Sequence, residues 1–131
     1  MAYTTTYRTL PGLVAGADLS SSQFLVGKLA STAGQVILNN TSLFAGNFVG
    51  VIMNKPALGE EVEFAIDGVV KMIVATSTIA IGDGIGCNTT SKGTDASTTD
   101  NGARIGKALT ASAAANDIVS VALYGAGGAR Y

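Results

Sequence analysis

Residues 60–74 read EEVEFAIDGVVKMIV, and this stretch indicates the fold class of the chain. In its first half, apolar residues alternate with charged ones, which is the pattern of a β-strand with one buried and one solvated face. A second apolar run follows. Between the two runs stands Asp67-Gly68, a pair that tolerates positive φ and is typical of a two-residue hairpin turn. The stretch therefore predicts two antiparallel strands, at residues 60–66 and 68–74.

Further short β-rich runs, separated by turn residues, flank this stretch on both sides. The runs at residues 23–30 and 34–39 are close enough in sequence to pair as a hairpin. Helical periodicity is absent except in the alanine-rich residues 111–115, which are too few to form a stable helix alone. The pattern predicts an all-β fold, a small β-sandwich or β-barrel of about seven or eight short strands. The additional runs lie at residues 23–30, 34–39, 46–54, 84–88, 103–109 and 117–124.

The length of 131 residues predicts one domain with a core of its own. Residues 1–20 are polar and then rich in Gly and Ala, so we expect an extended N-terminal arm followed by a single β domain over residues 21–131. The arm is either disordered or docked on a neighbour, and its tyrosine and leucine side chains favour docking. A polar loop at residues 88–101 is expected to form an exposed tip or a contact between subunits.

The chain is apolar and poor in charge at the same time. Charged residues make up 13 % of it and hydrophobic residues 47 %, whereas ordinary soluble domains have about 25 % charged residues. No apolar run approaches the roughly 18–20 residues of a membrane helix, so no membrane association is predicted. The composition indicates that something other than water covers part of the surface.

The residue types argue against catalysis and against nucleic-acid binding. The chain has no histidine, the commonest general base and metal ligand, and its net charge of −1 includes no basic block. The single cysteine, Cys87, has apolar neighbours and is expected to be a buried, unreactive thiol. Glu61 and Glu63 share a strand face that looks solvated, so they are not expected to act as an acid–base pair. We predict no enzyme activity, no cofactor and no metal.

The glycine-rich stretch IGDGIGCNTTSKG, residues 81–93, resembles a phosphate-binding loop only superficially. Such a loop needs a helix directly after its glycines, and the polar residues that follow Gly86 do not start one. Lys92 precedes Gly93, whereas the lysine of a P-loop follows its last glycine. The stretch is instead predicted to turn at Asp83-Gly84 into a short strand.

Several predicted strands are apolar on both faces. In residues 46–54, Phe48 and Ile52 lie on one face and three further apolar residues on the other, and a small domain has only one interior. The simplest second cover is a subunit interface. The second faces of residues 68–74 and 117–124 raise the same question. The former carries Val69 and Ile73 beside Lys71, and the latter carries Ile118, Ala122 and Tyr124.

The C-terminal half resembles the small phage capsid decoration (cement) proteins that are related to lambda-type head decoration proteins. The recurring features of that family are an apolar strand, a Gly-Asp turn, a variable polar loop and a final segment of the kind GARIGKALTASAAANDIVSVAL. The matching positions in this chain are residues 81–85, 105–109 and 111–123. The first 45 residues contain no pattern that matches.

The resemblance implies a non-enzymatic virion structural protein that is made in the host cytoplasm and sits on the outer surface of the phage head. It implies the major capsid protein as partner, a homotrimer, and a stabilising role through clamping of adjacent capsid subunits. The expected contacts of the arm with the capsid or a neighbour involve Tyr3, Tyr7, Arg8 and Leu10. The expected contacts of strand faces with sister subunits involve Phe48, Ile52 and Tyr124.

Two other functions stay open on the sequence. The first is another virion subunit, such as a tail or fibre component. The second is a small ligand-binding β-barrel, which would require a concave pocket with convergent polar groups.

Overall fold

The computed structural model describes residues 6–40, 48–95 and 104–124 of the chain. These residues contain ten strands and no helix. The all-β prediction is confirmed, although the expected number of strands was only about seven or eight. The strands are β1 Thr6–Thr9, β2 Val14–Ala15, β3 Val26–Leu29, β4 Gln35–Leu38, β5 Val49–Ile52, β6 Phe64–Ile73, β7 Gly84–Cys87, β8 Gly93–Asp95, β9 Gly106–Ala108 and β10 Ile118–Leu123.

All ten strands belong to one sheet, in the order β2-β4-β3-β5-β6-β10-β9-β7-β8, with β1 paired to β6 outside that path. Ala65 of β6 pairs with both Thr9 of β1 and Val51 of β5, so β1 and β5 lie on opposite edges of β6. The later residues of β6 pair with β10. The two halves of the sheet are therefore joined through β6, which at ten residues is the longest described strand.

The hairpin predicted at Asp67-Gly68 is wrong, because β6 runs through these two residues without reversing. Its pairing with β1 shifts by one residue after Arg8, which marks a β-bulge in β6. Gly68 has a φ of +99°. The tolerance of positive φ that is typical of a hairpin turn serves a bulge here.

The other strand predictions agree with the structure. β3 and β4 pair antiparallel, as expected for the runs at 23–30 and 34–39, and β5, β7, β9 and β10 lie within predicted runs. The polar loop predicted at residues 88–101 is partly wrong, because residues 93–95 form β8 and pair with β7. The part of that loop after residue 95 lies outside the described residues.

The bulge in β6 divides its apolar side chains between two hydrophobic clusters on opposite faces of the sheet. Ahead of the bulge, Phe64 and Ile66 belong to one cluster and Ala65 to the other. After the bulge, Val70 and Met72 belong to the same cluster as Ala65. We call the cluster around Met72 the first cluster and the one around Phe64 the second.

Both apolar faces of β5 are covered by residues of the same chain, which corrects the expectation of a subunit interface on one of them. Val49 and Val51 join the first cluster, while Ile52 joins the second, against which Phe48 packs. The second cluster is completed by the segment that was expected to be an extended arm. Its apolar side chains there are Leu10, Leu13, Ala15 and Leu19.

The two ends of the sheet approach each other at the turn between β7 and β8. The backbone N–H of Val26 donates to the Ser91 carbonyl at 2.7 Å, and the Ser91 hydroxyl donates to the Asn39 carbonyl at 2.6 Å. The Asn39 amide Nδ2 in turn donates to Cys87 Sγ at 3.1 Å. These bonds connect β3 and the end of β4 to β7 and β8. An isolated parallel bridge also joins Val74, directly after β6, to Gly93 of β8, so the sheet curls back towards its own middle strand.

Cys87 is buried, as predicted. We expect its thiol to resist a thiol-specific reagent in the folded protein and to react fully in concentrated guanidinium chloride, because a buried thiol is reached only through unfolding. The check is the absorbance released by the reagent with and without denaturant. Fast, complete reaction of the folded protein would contradict the placement of this side chain.

Candidate interaction surface

β1 lies along the edge of β6, and Gly68 makes the close approach possible. A Cβ atom at Gly68 would collide with the carbonyl oxygen of Thr6 and would lie 2.8 Å from the Cα atom of Tyr7. The pairing continues past the strand end, where the N–H of Leu10 donates to the Phe64 carbonyl at 3.2 Å. The part of the predicted arm that the structure describes thus adds a strand to the chain's own sheet.

Arg8 and Asp67 form an ion pair across this junction. The Arg8 Nη2 atom donates to Asp67 Oδ2 at 2.8 Å, and the two side chains are 77 % and 39 % exposed. An ion pair this exposed contributes at most about 1 kcal/mol. It favours an arginine opposite Asp67 without fixing β1 in place by itself.

The side chain of Tyr7 lies on the face of the sheet opposite to Arg8 and packs, half-buried, against the first cluster. Burial raises the pKa of its phenol above the ordinary value of 10.0, and the nearby carboxylate of Glu63 raises this pKa further. The phenol is therefore neutral at physiological pH, which suits a side chain that rests on a hydrophobic core.

A shallow cavity lies where β1 crosses β6. Its volume is about 190 Å³, which is smaller than the roughly 300–1,000 Å³ of pockets that enclose a small ligand. It suits the side chain of a partner protein better than a free small molecule. It is lined by Thr6, Tyr7, Arg8, Asp67 and Gly68.

The second half of β6 and its neighbours β10 and β9 present a half-open apolar surface, which we call the outer face. Ile73 lies opposite Ile118, and Val69 lies opposite Ala122. Ile118 is 52 % exposed, whereas Ile73, Val69 and Ala122 are partly buried. The outer face consists of Val69, Lys71, Ile73, Lys107, Ile118 and Ala122, together with Ser120, which lies opposite Lys71 and is buried.

The outer face continues the side of the sheet that the second cluster covers. On β6, that cluster ends at Ile66, and Val69 and Ile73 are the residues on the side away from the first cluster. The chain therefore covers one half of this side with its own residues 10–19 and leaves the other half only partly covered, since Val69, Ile73 and Ala122 are partly buried and Ile118 is exposed. Sequence alternation predicted the apolar character of this half, and the strand register brings its residues together.

The predicted contact residues fall into three groups. Tyr7 and Arg8 lie on β1 beside Asp67, while Tyr124 is 37 % exposed and directly follows β10 at the end of the outer face. Leu10 and Phe48 are half-buried against the second cluster. Ile52 is 0 % exposed, so its side chain presents no surface to a partner, and Tyr3 lies outside the described residues.

Sequence reasoning missed two members of this region, Asp67 and Lys107. Asp67 was interpreted as a turn residue, and its role as the partner of Arg8 depends on a register that no local pattern reveals. Lys107 faces the same side as Ala122, its cross-strand partner, and alternation within residues 103–109 could have identified it. Ile118 was recognised as apolar and outward-facing, but only the structure shows it to be more exposed than Tyr124.

The stretches with superficial catalytic resemblance have structural roles in the part of the chain that is described. Residues 81–83 form a turn in which Asp83 Oδ2 accepts from the N–H of Ala80 at 2.9 Å, and the chain then enters β7. Glu61 and Glu63 are both exposed, as predicted for a solvated strand face.

Within residues 6–40, 48–95 and 104–124, no group of three or more His, Cys, Asp or Glu side chains is arranged to hold a metal ion. The same residues contain no helix of the length and hydropathy needed to cross a membrane.

The sequence was compared with known proteins and families. No curated protein sequence matches the chain. The model of one family, described as phage cement protein, matches residues 20–123. This match includes β3–β10 and the whole outer face, and it begins after β1 and β2. Because it spans most of the 131 residues, the chain belongs to the phage cement protein family, whose members have a structural role at the phage capsid.

Proposed function

We propose that this protein is a non-enzymatic decoration protein that binds the outer surface of an icosahedral phage head as a homotrimer and clamps adjacent subunits of the major capsid protein. The observation that carries the proposal is the outer face, an apolar half of a sheet side whose other half is covered by the chain itself. Membership in the cement family supports the capsid as the place where this face is used.

The chemistry of the outer face indicates what kind of surface it binds. Two aliphatic pairs, Ile73–Ile118 and Val69–Ala122, lie on either side of Lys71 and its cross-strand partner Ser120. Lys107 lies beside Ala122. We expect the complementary surface to be apolar with carboxylates opposite the two lysines, because unpaired charges at a buried contact are costly. The proposed partners of the outer face and of β1 are the sister subunits of the trimer and the subunits of the capsid.

Binding stabilises the head by mass action. A site that spans several capsid subunits exists only in the assembled shell, so occupancy lowers the free energy of that state and not of its dissociated parts. A trimer multiplies the effect, because the second and third contacts form at the high effective concentration that the first creates.

The direct test removes the protein from purified heads. We expect stripped particles to release DNA at a lower temperature, or after a milder osmotic shock, than decorated ones, and we expect purified protein added back to restore the original resistance. The number of copies per particle is counted in the same preparation. Equal release with and without the protein would contradict the cement role, and a few copies confined to tails would replace it with a tail role.

A single substitution tests the outer face. Ile118→Asp is expected to weaken binding to stripped heads at least about tenfold, because it removes apolar area from the contact and places a carboxylate there. Stability should change little, since the side chain is half exposed. Titration of stripped heads with the variant gives the affinity.

The matched control is Leu58→Asp. Leu58 is 67 % exposed and lies in the loop between β5 and β6, away from the outer face. The same chemical change there should leave binding within about twofold of the original. Equal loss in both variants would show that the outer face has no special role.

A further inference from the structure

We infer that β1 is exchanged between copies of this protein, so that in the assembled oligomer the β1 strand of one subunit pairs with the β6 strand of its neighbour. The inference rests on the homotrimer proposed above and names the element that links its subunits. The structure shows the pairing within one chain, and the following features make the same pairing available between chains.

The edge of β6 that binds β1 is shaped for this particular strand. Next to the bulge, Gly68 leaves no room for a side chain beneath the backbone of Thr6 and Tyr7, so the arriving strand lies in direct contact with the β6 backbone at this position. Asp67 then stands opposite Arg8 at 2.8 Å. A strand with this chain's own sequence meets both conditions, which identifies the occupant as β1 of the same or a second copy.

β1 is held almost entirely by β6. Of the described strands, β6 is the only one with which β1 makes extensive contact. The side chains of Thr6, Arg8 and Thr9 are exposed, and only Tyr7 packs, half-buried, on the first cluster. A strand with so little buried surface opens at a lower free energy than that of global unfolding.

The connection between β1 and the rest of the chain is short and uncrowded. Pro11 and Gly12 are exposed, and no other atom lies within 4 Å of the point where a Cβ of Gly12 would sit. The chain is firmly anchored directly afterwards, because the Leu13 carbonyl accepts from Val62 at 3.0 Å and the Ala15 N–H donates to Glu60 at 2.8 Å. Residues 11–12 therefore separate a weakly held strand from a fixed segment.

Exchange costs little under these conditions. Every hydrogen bond that β1 loses on its own β6 has a counterpart on the neighbour's β6, and the change of chain direction falls at Pro11-Gly12. Within an oligomer the neighbouring edge is present at high effective concentration. The part of the chain that matches the family model begins at residue 20, after β1.

A disulfide across the β1–β6 junction tests the inference. The variant Arg8→Cys/Asp67→Cys, made with Cys87→Ala so that the introduced pair supplies the thiols, places cysteines at directly paired positions of antiparallel strands. The Cα separation of such pairs, about 4.5–5.5 Å, suits a disulfide. After oxidation, denaturing electrophoresis without reductant should show bands at about two and three times the chain mass that disappear on reduction.

The control variant Lys28→Cys/Ile37→Cys, in the same Cys87→Ala background, joins the directly paired strands β3 and β4 within one chain and lies outside the outer face. It should stay at the mass of one chain whether or not β1 is exchanged. The molar mass of the undenatured protein is measured by light scattering on the same samples. A trimer whose Arg8→Cys/Asp67→Cys variant forms disulfides only within single chains would overturn exchange and leave the proposed trimer standing. A monomer would overturn both, and neither result depends on the capsid experiment.

Discussion

Replacing Phe64 by alanine is expected to lower the free energy of unfolding by about 3–5 kcal/mol, the usual cost of removing a buried aromatic side chain. Phe64 is 0 % exposed and lies in the second cluster, between the sheet and the segment of residues 10–19 that covers it. Its ring also fills the space beside Gly50, where an added Cβ would come within 3.0–3.1 Å of the ring atoms.

Denaturant unfolding monitored by circular dichroism measures the loss. Leu58→Ala is the control, because Leu58 is 67 % exposed and its truncation should cost less than about 0.5 kcal/mol. Hydrogen exchange of residues 10–19 should also accelerate in Phe64→Ala, since that segment loses the side chain on which it rests. A loss below about 1 kcal/mol would mean that the second cluster is not a true core.

The strands were predictable because their signals are local. Alternating apolar residues, and the turn residues that separate the runs, depend on neighbours within a few positions. Alternation also assigned Phe48 and Ile52 of the β5 region to one face and Val49 and Val51 to the other, as the structure has them.

The cover of that face was not predictable from the sequence. Leu10, Leu13, Ala15 and Leu19 are spaced irregularly among glycines and polar residues, so they do not have the periodicity of a strand or a helix. They pack together because residues 13–16 pair with distant parts of the chain. Ile52 was consequently assigned to a subunit contact, although its face is covered from within.

The candidate surface, like the strands, was predictable in its local features and not in its long-range contacts. Alternation identifies Ile118, Ala122 and Tyr124 as outward-facing, because period two is a local property of a strand. Whether an outward face is open depends on which distant segment covers it, and for this sheet side the cover ends at Ile66. The pairing of Arg8 with Asp67 depends in the same way on the docking of β1.

Asp67-Gly68 shows most clearly where local signals end. The pair correctly indicated a backbone position with positive φ, which both a hairpin turn and a bulge require. The choice between the two depends on whether another strand pairs with both sides of the position. β1 lies about sixty residues earlier in the chain and provides that pairing, so no window around Gly68 could contain the answer.

Gly68→Ala is therefore expected to lower the free energy of unfolding by about 2–4 kcal/mol and to release β1. An alanine at a φ of +99° costs about 1–2 kcal/mol through backbone strain alone. The added methyl group also meets the backbone of Thr6 and Tyr7, which cannot rotate away as a flexible side chain would. The strand must lift from β6, and the packing of Tyr7 on the first cluster is lost with it.

Gly82→Ala separates the two contributions, because Gly82 has a φ of +89° with no atom within 4 Å of the added methyl group. It should cost only the strain of about 1–2 kcal/mol and leave the amides of residues 6–10 as protected from hydrogen exchange as in the unmodified protein. In Gly68→Ala those amides should exchange freely while β3–β5 and β10 remain protected. If the two variants lost the same free energy of unfolding and residues 6–10 stayed protected in both, a methyl group at residue 68 would not collide with β1. The close contact between β1 and Gly68 would then be contradicted.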